Sequence, residues 1–130
     1  MRQAMKNLLV VDDNTDLLKM IDLALADIAN ITTATSIGQA KLMLNCCEID
    51  LIVLDVMLPD GNGFDLCKDL KTNSFLKTIP VIMLTAKTSI TDKIKGFSLG
   101  CNDYITKPFD LREVKARIEA KLKEVVNTVS

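Results

Sequence analysis

A chain of 130 residues, 48% hydrophobic and 25% charged, can bury roughly two-thirds of its unfolded surface as one domain, with no need of disulfide or metal staples. Its 16 basic and 17 acidic residues leave a net charge of -1, which excludes the basic surface that non-specific nucleic-acid binding requires. The chain has no histidine, and Cys46, Cys47, Cys67 and Cys101 show no Cys-x-x-Cys spacing, so a zinc site is not expected and the cysteines read as reduced thiols.

The first strand-like run is Leu8-Leu9-Val10-Val11, closed by Asp12 and Asp13. With only Lys6 and Asn7 directly before that short run there is no signal-peptide pattern, and no apolar stretch approaches the ~18 residues of a membrane span. The expected compartment is the cytoplasm, with no membrane partner. Asn14 then stands as a cap for a helix on which Leu17, Ile21, Leu25 and Ile28 recur at helical spacing. A weaker strand is expected over residues 31–35, and Ser36 with Gln39 forms a capping-box pattern for a helix reaching about Asn45.

The third unit runs from a strand over residues 50–55, through the turn-rich Pro59-Asp60-Gly61-Asn62-Gly63, into a helix carrying Phe64, Leu66, Cys67 and Leu70. A fourth strand, residues 79–85, ends on Thr85 and leads to a helix from about Ser89 to Leu99, stopped by Gly100. The fifth strand reaches Thr106, followed by Lys107. Asp110 with Glu113 then caps a helix whose Leu111, Val114, Ile118, Leu122 and Val125 make one apolar stripe, as core packing against a sheet requires.

Five alternations of strand and helix, without a repeat or internal linker, select an α/β doubly wound sandwich, a flavodoxin-like (βα)5 fold with parallel strand order 2-1-3-4-5. Three of the runs are short and continuously apolar, as strands covered on both faces should be. In such sheets ligands bind beyond the carboxyl ends of the strands, where Asp12, Asp13, Asp55, Thr85 and Lys107 would converge. Clustered carboxylates raise one another's pKa unless a cation stands among them. Lys107 supplies one positive charge, and a hard oxygen donor set with positions open to water and phosphate selects Mg2+, with Mn2+ as a substitute. An open metal position beside a carboxylate nucleophile, a lysine and a hydroxyl suits phosphoryl transfer, with Asp55 the acceptor.

Four motifs in order then carry a resemblance: Val10-Val11-Asp12-Asp13-Asn14, Val53-Leu54-Asp55-Val56-Met57-Leu58-Pro59, Leu84-Thr85-Ala86, and Asp103-Tyr104-Ile105-Thr106-Lys107-Pro108-Phe109. Over about residues 6–126 the chain resembles the receiver domain of a two-component response regulator, CheY-like in fold. It is most similar in motif to the winged-helix, OmpR/PhoB-type subfamily. The resemblance implies that Asp55 is the residue phosphorylated by a sensor histidine kinase, which makes the chain a signalling phosphoprotein of a phosphorelay and no enzyme beyond its own Mg-dependent phosphorylation and dephosphorylation. It implies Asp13, Asp55 and the backbone carbonyl of Met57 as metal ligands, with Asp12 holding a water on that ion. Thr85 and Tyr104 resemble the switch pair, and Lys107 the phosphate-contacting lysine, whose bond to Pro108 is cis in relatives. With no histidine, the chain cannot itself be the phosphohistidine donor.

The resemblance extends to a moving face made of the fourth helix, fifth strand and fifth helix. There Lys93 and Glu113, and Asp103 and Arg117, resemble charge pairs that cross a symmetric homodimer promoted by phosphorylation. Ser98 and Glu119 depart from that pattern, so a third pair is not expected. Met57 and Lys87 occupy the positions that influence hydrolysis in relatives. Met57 cannot orient an attacking water as an amide could, so a phosphoryl state lasting minutes to hours is expected. A haloacid-dehalogenase-type phosphatase needs Asp-x-Asp, and Met57 stands at the second position. In a flavodoxin the first loop cradles a phosphate, which Asp12 and Asp13 would repel. A pseudo-receiver would lack a site residue, and none is missing. Residues 1–126 are read as the receiver unit and 127–130 as a tail, or the start of a linker to an output domain that controls transcription and makes the DNA contact this unit lacks.

Overall fold

The computed structural model describes residues 5–126; the expected tail, 127–130, lies outside the described residues. The strands are β1 (Asn7–Val11), β2 (Asn30–Ala34), β3 (Leu51–Leu54), the two-residue β4 (Met57–Leu58) and β5 (Gly61–Asn62), then β6 (Val81–Thr85) and β7 (Asp103–Thr106). The helices are α1 (Thr15–Leu25), α2 (Ile37–Cys46), α3 (Gly63–Thr72), α4 (Ile90–Ser98) and α5 (Leu111–Val126). β4 and β5 pair only with each other, as a small antiparallel hairpin. The other five form one parallel sheet in the order β2-β1-β3-β6-β7, which is the predicted 2-1-3-4-5 order of the principal strands.

Alternation along each strand divides the core in two. Leu9, Val11, Ile52, Leu54 and Met83 face Ala40 of α2 and Phe64, Leu66, Cys67 and Leu70 of α3. Leu8, Val10, Leu51, Val53, Ile82 and Leu84 face Leu17, Leu18, Ile21 and Leu25 of α1 and Val114, Ile118 and Leu122 of α5. With each fully buried aliphatic side chain contributing about 1.5–3 kcal/mol, the two layers account for the continuous apolar runs of β1 after Asn7, of all β3, and of β6 before Thr85. β2 is an edge strand with only Ala34 buried, which explains its weak apolar signal and the one-residue offset from the expected 31–35.

The helix starts follow the expected residues with two local differences. Asn14 and Ser36 accept from the N–H groups of Leu17 and Gln39, as N-caps do. The return arm of the second cap differs: Gln39 Oε1 accepts from the backbone and hydroxyl of Thr35 rather than from Ser36. At α5, Asp110 accepts from the backbone N–H and the guanidinium of Arg112, while Glu113 turns away to Arg117. Arginine's forked donors reach both oxygens of the cap carboxylate, which outcompetes a reciprocal box. Gly100, at φ 102°, ends the turn after α4 in the left-handed region, as expected.

Candidate functional site: an acidic edge with one lysine

Strand register brings the site together. Val11 stands beside Leu54, so the next residues, Asp12 and Asp55, emerge side by side from neighbouring strands, and the Asp55 N–H donates to the Val11 carbonyl at 3.0 Å. One strand further, Thr85 pairs with Thr106 across β6 and β7, and the Lys107 N–H donates to the Thr85 carbonyl at 2.8 Å. The Lys107–Pro108 bond is cis. The lysine ammonium crosses the edge and donates to Asp12 Oδ2 at 2.6 Å and to Asp55 Oδ2 at 3.1 Å.

The remaining carboxylate oxygens are tied to main chain. Asp12 Oδ1 accepts from the Asn14 N–H at 2.9 Å, and Asp55 Oδ1 from the Met57 N–H at 3.2 Å. Asp12 and Asp55 are buried, at 3% and 6% exposure, whereas Asp13 faces solvent. One carboxylate oxygen from each of the three lies within 4.8 Å of the others, so all could bond one small cation. Burial raises the Asp12 pKa despite the opposing hydrogen bond from Lys107. Burial alone would lower Lys107, but its hydrogen bond to Asp12 and the charge of Asp55 outweigh it and hold the group as an ammonium. Asp12 rises through burial and Lys107 through its carboxylate partners, and three carboxylates facing one ammonium leave a surplus of negative charge. An all-oxygen donor set with that surplus, open on the Asp13 side, fits a hard divalent ion such as Mg2+.

Thr85 is fully buried, and its Oγ1 accepts from the Lys87 N–H at 3.3 Å. Tyr104 turns its ring inward, 7% exposed, and its hydroxyl donates to the Lys87 carbonyl at 2.7 Å. Burial, with the charge of Asp92 next, pushes the Tyr104 hydroxyl up to about 12, so it remains a donor. The expected switch pair is thus joined through a single residue's main chain.

Two contributors were not among the expected site residues. Asp60, at the tip of the β4–β5 hairpin, accepts from the N–H groups of Ile37 and Gly38 at 2.8 and 2.9 Å and ties the loop after Asp55 to the start of α2. Gly63 donates to the Val56 carbonyl at 2.7 Å, and a Cβ there would lie 2.0 Å from the Asp55 carbonyl oxygen. The Pro-Asp-Gly turn hints at a loop residue but not at its distant partner.

Lys93, Asp103, Glu113 and Arg117 lie apart from the acidic edge, on α4, β7 and α5. Arg117 bonds Asp103 at 2.7 Å and Glu113 at 3.3 Å within the chain, while Lys93 forms no ion pair among the described residues. Beside them Ile90, Ile94 and Phe97 expose an apolar stripe on α4.

A family model, the response regulator receiver domain, matches residues 8–119. The chain is 40% identical over 119 residues to the alkaline phosphatase synthesis transcriptional regulatory protein PhoP of Bacillus subtilis (strain 168), covering 91% of this chain and 49% of that one. It is also 40% identical over 119 residues to the transcriptional regulatory protein CiaR of Streptococcus pneumoniae, covering 92% and 52%. A putative response regulator from Chloroflexus aurantiacus J-10-fl superposes with a TM-score of 0.86 at 35% identity, over 92% of this chain and 99% of that one. The chain spans about half the length of the curated relatives it matches. Apolar strands that end on three carboxylates, with a lysine laid across them, are therefore the frame of a known module, and the chain belongs to the response regulator receiver domain family.

Proposed function

We propose that this chain is the phosphoacceptor of a two-component system, taking a phosphoryl group onto Asp55 from a sensor histidine kinase and switching in response. The observation that carries the reading is the pair of bonds from the Lys107 ammonium to Asp12 and Asp55, set beside the exposed carboxylate of Asp13. One Asp55 oxygen attacks phosphorus as the bond to the donor imidazole nitrogen breaks. The imidazole leaves, and an acyl phosphate remains. Lys107 holds positive charge against the incoming phosphoryl oxygens, and the Thr85 hydroxyl donates to one of them. Asp12, Asp13, Asp55 and the Met57 carbonyl would hold Mg2+, or Mn2+ in its place. When bound, the ion balances charge on the phosphoryl oxygens.

Commitment of the Thr85 hydroxyl to the phosphoryl group draws on its bond to Lys87, whose carbonyl holds Tyr104. This links phosphorylation to the surface of α4, β7 and α5. Phosphorylation can move that surface only by the difference in its interaction with two states. Residues 1–126 form the receiver unit in this reading. By analogy with the transcriptional regulators it resembles, the unit governs an output domain that regulates transcription.

The deciding experiment is incubation with Mg2+ and beryllofluoride or acetyl phosphate. One adduct per chain is expected on Asp55, absent from Asp55→Asn, and adduct formation unaffected by that substitution overturns the reading. A second consequence is self-association. The Ile90, Ile94 and Phe97 stripe lies beside Lys93, Asp103, Glu113 and Arg117, so phosphorylation is expected to favour a symmetric homodimer through this face. In that dimer Arg117 exchanges its Asp103 partner for the one on the second copy. Light scattering should show the mass doubling after full phosphorylation, and an unchanged mass argues against the dimer. Exposed ion pairs are worth only about 0.2–1 kcal/mol each, so Arg117→Ala should weaken the dimer less than Ile94→Asp.

A further inference from the structure

At the far end of α2 from Asp60, a helix of ten residues and thus about 15 Å away along its axis, two cysteines stand next to one another in solvent. Cys46 is the last helical residue and Cys47 the extended cap, and their sulfurs lie 3.1 Å apart. We propose that Cys46 and Cys47 form a bidentate binding site for trivalent arsenicals of the R–As=O class.

The bite of the pair selects the class. Two bonds of about 2.3 Å reaching sulfurs 3.1 Å apart meet at about 85°, whereas a tetrahedral thiolate centre holds its sulfurs about 3.8 Å apart. The narrower angle is that of a three-coordinate centre carrying a lone pair. Tetrahedral zinc would also need two more ligands. Among the described residues the sole cluster of three or more metal-ligating side chains is Asp12, Asp13 and Asp55. Direct closure to a disulfide is disfavoured for a different reason. Neighbouring Cα atoms across a trans peptide are about 3.8 Å apart, short of the roughly 4.4–6.8 Å a disulfide prefers. An atom inserted between the sulfurs removes that demand.

The protonation state fits as well. The Cys47 thiol is raised, first by its hydrogen bond with Cys46 and then by desolvation, so Cys47 stays protonated near neutrality. A thiol of raised pKa reacts slowly with alkylating agents, which need the thiolate, whereas the net condensation with R–As=O consumes two thiols and releases no free proton. Two As–S bonds form and the As=O bond breaks; both thiol protons leave with that oxygen as one water. Arsenic stays trivalent and nothing is oxidised or reduced. Cys47 also borders a groove of about 270 Å³ lined by Leu44, Ile49, Phe75, Leu76 and Ile79, where an aryl substituent can lie.

The site is independent of phosphoryl transfer, so the test stands whatever happens at Asp55. Reduced full chain with phenylarsine oxide, followed by native mass spectrometry, is expected to give one adduct per chain with loss of one water. It should be stripped by 1,2-ethanedithiol but resist an excess of monothiol. Cys46→Ser and Cys47→Ser, both at exposed positions, should each lower retention by roughly 100-fold or more, the gain that a second tethered ligand provides. Unchanged circular dichroism will show that both variants fold. Equal retention by either variant, an adduct that monothiol removes, or an adduct on buried Cys67 or Cys101 overturns the proposal. So does a loss of two hydrogens on mild oxidation with no arsenical bound, which marks a dithiol–disulfide couple instead.

Discussion

Replacing Gly63 by alanine is expected to lower stability by about 3 kcal/mol, the upper end of overpacking penalties, and to drop the melting temperature by about 10 °C. The added Cβ would meet the Asp55 carbonyl oxygen at 2.0 Å, its carbon at 2.9 Å and Val56 Cα at 3.0 Å, all of them main chain. No rotamer change relieves such a contact, so either α3 lifts from the end of β3 or the Asp55 peptide shifts. The second outcome moves the carboxylate away from Lys107, and beryllofluoride binding should fall with stability. Gly38→Ala is the matched control. Its Cβ would find Asp60 Oδ2 at 3.5 Å, an ordinary contact, and alanine's helix preference should leave the melt unchanged or slightly raised. Equal melts for the two variants would contradict this account of Gly63.

Lys107→Met should separate charge balance from chemistry. It removes the ammonium that bonds two buried carboxylates, which typically costs about 3–5 kcal/mol. The same loss leaves a more negative edge, so Mg2+ should bind more tightly than in the native protein. Ion added at 100 times its dissociation constant would restore about 2.7 kcal/mol of stability. Phosphorylation by acetyl phosphate should nonetheless fall at least about tenfold, since no fixed cation meets the phosphoryl oxygens. Urea titrations with and without Mg2+, read beside the phosphorylation rate, test all three. Weaker Mg2+ binding in the variant would show that Lys107 orders the carboxylates more than it competes with the ion.

The parts legible from the amino-acid order are those governed by near neighbours. Continuous apolar runs identify β1, β3 and β6 because both faces of these strands are covered, and residues closing such runs must meet at one edge once the strand order is fixed. Asn14, Ser36 and Gly100 are legible because capping is settled within a turn of helix. What escapes depends on tertiary approach. Asp60 reads as a turn residue, and its role as a second cap for α2 needs the hairpin to fold back across more than twenty residues. The same holds for Lys71, whose ammonium donates to the Ile79 carbonyl and to Asn102 Oδ1, which also accepts from the Val81 N–H. That network stitches α3 to the starts of β6 and β7, and no local pattern announces it. Even the two caps that deviate do so because a longer side chain, Gln39 or Arg112, found a nearer partner than the motif supplies.

The contacts of Thr85 and Tyr104 with residue 87 use its peptide N–H and carbonyl, and the lysine side chain takes no part. Nearly any amino acid can occupy that place without severing the connection; proline alone, lacking the donor, breaks one of its two halves. Both halves of the Thr85–Tyr104 connection are thus held in main chain, so the chemistry of the side chain at residue 87 can vary without disturbing either one.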